Sequence, residues 1–206
     1  PTLLLLHGGH GFDHSVFKRD FTALSDRCQV VYLDQRGQGR SDRSEPSRWN
    51  LDQWADDVHA FCDALAVEHP IVLGQSFGGF VALNYACRHP SHPAGLILSS
   101  TAAKIRLDRA LPMFERLGGP EARVVAERFW KDPSEPNREE YFRVCLPLYS
   151  RRGMSAEAQA RMRLRPDVGE HFIRGEMTTY DLRAGLGKIA CPTLIVAGEL
   201  DPITPV

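Results

Sequence analysis

Ser76 stands in the run Gly74-Gln75-Ser76-Phe77-Gly78-Gly79, directly after the apolar residues Ile71-Val72-Leu73 and directly before a helix-like stretch from Phe80 to Cys87. A serine hydroxyl becomes a useful nucleophile when it is raised clear of its surroundings, given a base, and faced by N–H donors. Gly-x-Ser-x-Gly between a strand and a helix supplies the first condition, because the serine then sits at the tip of a sharp bend. Gly74 and Gly78 suit the crowded flanks, since neither brings a Cβ into the turn. The helix behind it aims backbone N–H groups, including that of Phe77, and a positive dipole end at the reacting centre. The alternative is a plain turn whose serine caps the helix by accepting an N–H from its first turn. The direction of the hydroxyl separates the two.

A second run sits where such a serine needs it. Thr2-Leu3-Leu4-Leu5-Leu6 reads as a buried strand and leads into His7-Gly8-Gly9-His10-Gly11-Phe12. A glycine-rich loop after an earlier strand can present the other N–H that an oxyanion requires. A simple tight turn would use the same glycines. His7 reads as a brace for this loop, and His10 and His14 as polar loop residues able to edge a pocket.

These two motifs, in this chain order, resemble those of the α/β-hydrolases, in the capped branch that includes the proline iminopeptidases. Val30-Val31-Tyr32-Leu33-Asp34-Gln35-Arg36-Gly37-Gln38-Gly39-Arg40-Ser41 is similar to the strand and loop that this branch places between the oxyanion loop and the serine. The wording Asp-Gln-Arg-Gly leans toward the iminopeptidase side, and the resemblance gives the loop a structural role, with Arg36 as a brace. The donor directly after His-Gly in the family corresponds here to Gly9, which pairs with Phe77 to form the oxyanion hole. The implied fold is α/β: a mostly parallel hydrolase-type sheet with helices on both faces and an inserted helical cap. The expected divisions are a first core portion over 1–103, the cap over 104–187, and a last core portion over 188–206.

Serine, then acid, then histidine is the chain order of this fold. Thr193-Leu194-Ile195-Val196-Ala197 reads as the late strand, and Asp201 in the following Gly198-Glu199-Leu200-Asp201-Pro202 is the expected acid. It would hold an imidazole in the right tautomer and stabilise the imidazolium. Glu199 is the alternative acid, and a turn aspartate before proline is the alternative role for Asp201. The family's histidine comes later still, and none of the eight histidines follows Asp201. His59 and His69 bracket a helix end, His89 and His92 lie after the serine helix near prolines, and His171 lies in the middle region. All five read as solvated or packing residues. The resemblance therefore implies an internal portion of a longer hydrolase, entered at what is usually the third strand.

The elements that position these residues follow from periodicity. Leu3–Leu6, Gln29–Leu33, Ile71–Leu73, Gly95–Leu98 and Leu194–Ala197 are short apolar runs that predict strands buried on both faces. Helical patterns lie between them, at Ser15–Ser25, after the cap residue Asn50, and at Phe77–Arg88. The Asn50 helix carries Leu51, Trp54, Val58, Phe61, Cys62 and Leu65 on one stripe. Alternation of this kind implies parallel strands with right-handed crossovers and a site at their carboxyl ends.

Between Lys104 and Gly187 the alternation stops, and helical patches are separated by Gly118-Gly119-Pro120, Pro133, Pro136, Pro147 and Pro166. A cap of this kind excludes water and selects the substrate. Phe114, Phe129, Trp130, Tyr141, Phe142, Tyr149, Met154 and Met162 read mainly as its internal core, with some able to line a pocket. Glu139-Glu140 beside Tyr141-Phe142 is a candidate site for the free amino group of a substrate, as the iminopeptidase resemblance implies. The alternative is two exposed glutamates in a first helical turn.

The chain has 206 residues and a net charge of −1, which carries no nucleic-acid footprint. Basic residues outnumber acidic ones between Lys104 and Lys188, and the reverse holds elsewhere. The five cysteines form no C-x-x-C pair and no zinc spacing, which points to reduced thiols and a cytoplasmic setting. No run approaches a membrane span. No metal or organic cofactor is implied, and the expected partner is a small molecule or short peptide, not nucleic acid or membrane. The reading is a serine hydrolase acting by acyl transfer. The first choice is iminopeptidase-like removal of an N-terminal residue, then hydrolysis of esters or lactones of small apolar acids. A non-catalytic ligand-binding member of the fold is the remaining class. Ser76 argues against the dehalogenase and epoxide-hydrolase relatives, which carry aspartate there.

Overall fold

The computed structural model describes all 206 residues. Five strands form one sheet: β1 (Thr2–Leu6), β2 (Gln29–Leu33), β3 (Ile71–Gln75), β4 (Gly95–Ser99) and β5 (Thr193–Val196). Every pairing is parallel and the spatial order is β2-β1-β3-β4-β5. The chain thus steps outward from β1 to β2, then returns to the other side of β1 as β3. That reversal opens a crevice at the carboxyl ends of β1 and β3, where ligands bind in open α/β sheets. The loop after β1 and the serine after β3 both end there.

Three helices precede the long connection: α1 (Lys18–Phe21), α2 (Leu51–Ala64) and α3 (Phe77–Arg88). Leu4 and Leu6 of β1 join Val72, Leu96, Leu98 and the apolar stripes of α2 and α3 in the main core. Leu3, Leu5 and Leu73 point to the opposite face and meet Phe17. Asn50 caps α2 as expected, its side chain accepting the Gln53 N–H at 2.8 Å. Leu65, expected on the buried stripe, ends the helix and is 53% exposed.

Two expectations change. The helix read over Ser15–Ser25 is a four-residue α1 between two 3-10 turns, His14–Val16 and Thr22–Leu24. Its one buried apolar anchor, Phe17, gives an α-helix little to fold against. β5 is not buried on both faces: Leu194, Ile195 and Val196 are 57%, 71% and 49% exposed. It is an edge strand paired with β4 alone.

Between β4 and β5 the chain is helical: α4 (Leu107–Lys131), α5 (Glu135–Val144), α6 (Ala156–Arg161) and α7 (Pro166–Arg174). α4 is two helices joined at a kink, where Gly119 adopts φ 76° and ψ −176°. The Gly-Gly-Pro run thus breaks the helix without ending the layer. One antiparallel bridge, Lys104 to Asp181, closes the base of this insert. No helix is long and apolar enough to cross a membrane.

Candidate active site

Ser76 joins β3 to α3 at φ 50° and ψ −117°, a region a non-glycine residue occupies at a cost of about 1–3 kcal/mol. Three hydrogen bonds hold it there. Its N–H donates to the Ser99 carbonyl at 2.9 Å, and its carbonyl accepts from the Gly79 N–H and the Thr101 hydroxyl, each at 2.8 Å. The Ser76 side chain makes no capping bond to the helix. The hydroxyl therefore borders the crevice instead of serving α3.

The glycines around it are explained by what a Cβ would strike. At Gly74 it would lie 2.4 Å from the Gly78 carbonyl oxygen, and at Gly78 2.1 Å from that of Leu6. β1, β3 and α3 meet at van der Waals contact only because both lack side chains.

The loop after β1 lies against this turn. A Cβ on Gly8 would stand 3.1 Å from the Ser76 Cβ. Gly9 follows with φ 72°, and its N–H has no hydrogen-bond partner. Phe77 opens α3, so its N–H also lacks an acceptor within the helix. The loop is fixed from behind. His7 is fully buried, accepts the Gln35 N–H on Nε2 and is held below the usual imidazole pKa by burial. It braces, as its position suggested. The Gly11 N–H donates to the Gln38 side chain at 2.7 Å, and the Gly11 carbonyl accepts from Arg165 in the helical insert at 2.6 Å.

The Asp-Gln-Arg-Gly loop ties the layers together. Arg36 pairs with Asp57 of α2 and braces the loop. Arg40 bonds buried Asp13 at 2.6 Å and the Arg161 carbonyl at 2.6 Å, linking the β1 loop to the helical insert. Asp34 is also engaged: burial pushes its carboxyl upward, but bonds from His14 and from the Arg40 N–H outweigh it and hold the group well below the usual carboxylate range.

Above Ser76 lies a cavity of about 260 Å³ whose wall combines the β1 loop, Ser76 and the helical insert. Phe129, Trp130, Tyr141, Phe142, Tyr149 and Met154 all line it. Most of the aromatic and sulfur residues expected as internal core therefore face the pocket, while Phe114 is fully buried. The reason lies in helix placement, because α4, α5 and α7 turn their apolar faces toward the sheet end as well as toward one another. His10 also borders the cavity, stacked on Phe172, and burial lowers its pKa to about 4.

The acidic pair is corrected. Glu140 is held by Arg128 of α4 and lies 3.7 Å from Arg143, while Glu139 is exposed. Neither lines the cavity. The one carboxylate in its wall is Glu170 of α7, whose Oε1 accepts from Arg174 at 3.0 Å. No local pattern singled out Glu170. Its neighbour Gly169 carried a signal, since a Cβ there would lie 2.8 Å from the His10 carbonyl oxygen.

Asp201 lies in the loop after β5. Its carboxylate accepts from the N–H groups of Ile203 and Thr204, at 2.9 and 2.8 Å, and from the Thr204 hydroxyl at 2.9 Å. Ile203 lines the cavity, so the loop that carries Asp201 reaches its rim. Glu199 makes no such bonds. No histidine of the chain pairs with Asp201. His14 bonds Asp34, His59 pairs with Asp63, and His89 pairs with Asp56.

The sequence model of the alpha/beta hydrolase fold matches residues 1–206. The chain belongs to the α/β-hydrolase family, in its proline iminopeptidase branch. A proline iminopeptidase of Lactobacillus helveticus is 30% identical, the match covering 100% of this chain and 76% of that protein. One from Pestalotiopsis fici is 37% identical with the same coverage. The chain thus spans about three quarters of the length of these relatives. Among solved structures, a thermophilic esterase from Thermogutta terrifontis superposes with a TM-score of 0.69 at 26% identity, covering 100% of this chain and 73% of that one. Within an α/β-hydrolase, a strained serine near two N–H groups that have no hydrogen-bond partner is a candidate nucleophile.

Proposed function

We propose that this α/β-hydrolase cleaves a small amide or ester by acyl transfer from Ser76, with release of an N-terminal residue of the proline type from a short peptide as its first substrate class. The observation that carries this reading is the strained Ser76 with an uncapped side chain, beside Gly8 and Gly9 in the wall of an apolar cavity. Ser76 Oγ attacks the carbonyl carbon. The N–H groups of Gly9 and Phe77 receive the developing oxyanion, and the dipole of α3 adds to them. The base is the histidine that the family places after the acid, which none of this chain's eight histidines supplies; it takes the serine proton and passes it to the leaving group, Asp201 orients it, and a water then releases the acyl group from Ser76. The bonds from Ile203 and Thr204 support this role by fixing the carboxylate. The helical insert acts as the cap that closes the site from water.

The cavity selects for size and polarity. About 260 Å³ stands at the small end of ligand pockets, so it favours compact acyl groups such as a prolyl ring. Glu170 is the one wall carboxylate able to receive a substrate ammonium group, the role first assigned to Glu139 and Glu140. The iminopeptidase relatives support the peptide reading. A second reading, hydrolysis of a small apolar ester, is favoured by the predominantly apolar wall and by the esterase likeness. Five free cysteines fit a reducing, cytoplasmic setting.

The test compares turnover of a prolyl arylamide with that of short acyl esters. Preferential prolyl turnover that is lost in Ser76→Ala supports the first reading. Ester turnover alone selects the second. Absence of both with an intact fold overturns the enzymatic reading.

A further inference from the structure

Four of the eight histidines gather far from Ser76. α3 follows directly on Ser76 and runs for 12 residues, so its far end lies about 18 Å away, at the amino edge of the parallel sheet. His89 caps the carboxyl end of α3 and His92 lies in the turn that follows. His59 belongs to α2, one and a half turns before that helix ends at Ala64. The rings of His59 and His89 stack with centroids 4.3 Å apart, and His59 and His92 are 4.4 Å apart.

Within this group, one nitrogen each of His59 and His92 and a carboxylate oxygen of Asp63 all lie within 4.8 Å of one another. His59 and Asp63 are four residues apart on α2 and share a face, with Nδ1 to Oδ2 at 3.0 Å. A first-row ion holds such donors at about 2.0–2.2 Å, so closure requires each side chain to move by about 1 Å. Asp63 is exposed and free to swing.

The surroundings are those of a ligand set. Buried Tyr85 bonds His92 at Nδ1 and orients the ring; with Nδ1–H donating to the phenol oxygen, Nε2 keeps its lone pair for a metal. His69 Nδ1 lies 3.1 Å from the His92 carbonyl, steadying the same turn. Arg88 is taken by Asp52 and Asp56, and the only ion-pair partner of Asp63 is His59. The carboxyl ends of α2 and α3 both contribute negative dipole ends here, which favour a cation.

We propose that His59, Asp63 and His92 form a binding site for one first-row divalent cation of the zinc class, joining α2 to the turn between α3 and β4. Two imidazoles and a carboxylate suit Zn2+, with water in the fourth position. The ion is a staple at the opposite edge of the sheet from Ser76 and takes no part in the reaction.

The test is Zn2+ titration of chelator-stripped protein, followed by calorimetry and thermal unfolding. One equivalent binds, and at a hundredfold excess over Kd the Tm rises by about 5–10 °C. Asp63→Asn, His59→Ala and His92→Ala each weaken binding at least about tenfold. Asp63 is exposed, so Asp63→Asn keeps the test readable if a histidine variant does not fold. Tyr85→Phe also weakens binding, although it removes no ligand. Absence of binding at millimolar Zn2+ overturns the proposal. So does equal binding by the wild type and the three ligand variants, which would place the ion on cysteines elsewhere.

Discussion

Replacing Gly78 by alanine tests how closely the β1 loop and the serine turn depend on each other. The new Cβ would lie 2.1 Å from the Leu6 carbonyl oxygen, 2.5 Å from the Leu6 carbonyl carbon and 2.7 Å from the His7 carbonyl oxygen. All three are backbone atoms that no rotamer change can move. Relieving the contact requires α3 to withdraw from β1 by about 1 Å or more to reach ordinary contact distance. Alanine is favoured over glycine in a helix by about 1 kcal/mol, whereas overpacking costs about 1–3 kcal/mol. The rigid contact places the cost at the upper end, leaving a net loss of about 2 kcal/mol. For a chain of this size that lowers Tm by about 4–8 °C. The same displacement moves Ser76 and the Phe77 N–H relative to Gly9, and a shift of about 1 Å costs about a hundredfold in turnover. Thermal unfolding and turnover of a short acyl ester give the two readings. Gly187→Ala is the control, because a Cβ there meets nothing within 4 Å. Its Tm is unchanged or slightly raised. Wild-type Tm and turnover in Gly78→Ala would refute the packing argument.

The left-handed conformation of Ser76 predicts that Ser76→Gly is more stable than Ser76→Ala by about 1 kcal/mol in denaturant unfolding, while both lose activity by at least about 10⁴-fold. Asp34 has a folded-state pKa below its unfolded value, so its stabilisation is present above about pH 4 and is lost as pH falls further. Asp34→Asn is less stable at neutral pH, and its acid unfolding profile is flatter than that of the wild type. Glu170→Gln raises KM for a prolyl arylamide at least about tenfold and changes KM for a neutral ester little, since an ammonium–carboxylate contact is worth more than a neutral hydrogen bond.

The turn at Ser76 was legible because its causes are local. An apolar strand, two glycines where no Cβ fits, and a helix of small and apolar residues are all written within 18 positions of one another. Asn50 was legible for the same reason. The β1 loop could be read as glycine-rich, but its contact with Ser76 depends on β3 returning beside β1. The acidic pair misled because Glu140 meets Arg128, a partner 12 positions earlier on another helix. Glu170 was silent because a single carboxylate on an amphipathic helix looks like any solvated residue until the helix is placed. The aromatic residues of the insert posed the same problem, since an inward stripe serves equally as a helix-packing face and as a pocket wall. The histidine cluster was hidden by distance, as its members come from the end of one helix and the turns beyond two.

Mass-spectrometric mapping of a fluorophosphonate adduct tests the central claim most directly. The account predicts one modified residue, Ser76, with labelling lost in Ser76→Ala and unchanged in Gly187→Ala. A label on another side chain, or none on a folded protein with its cavity intact, would contradict it.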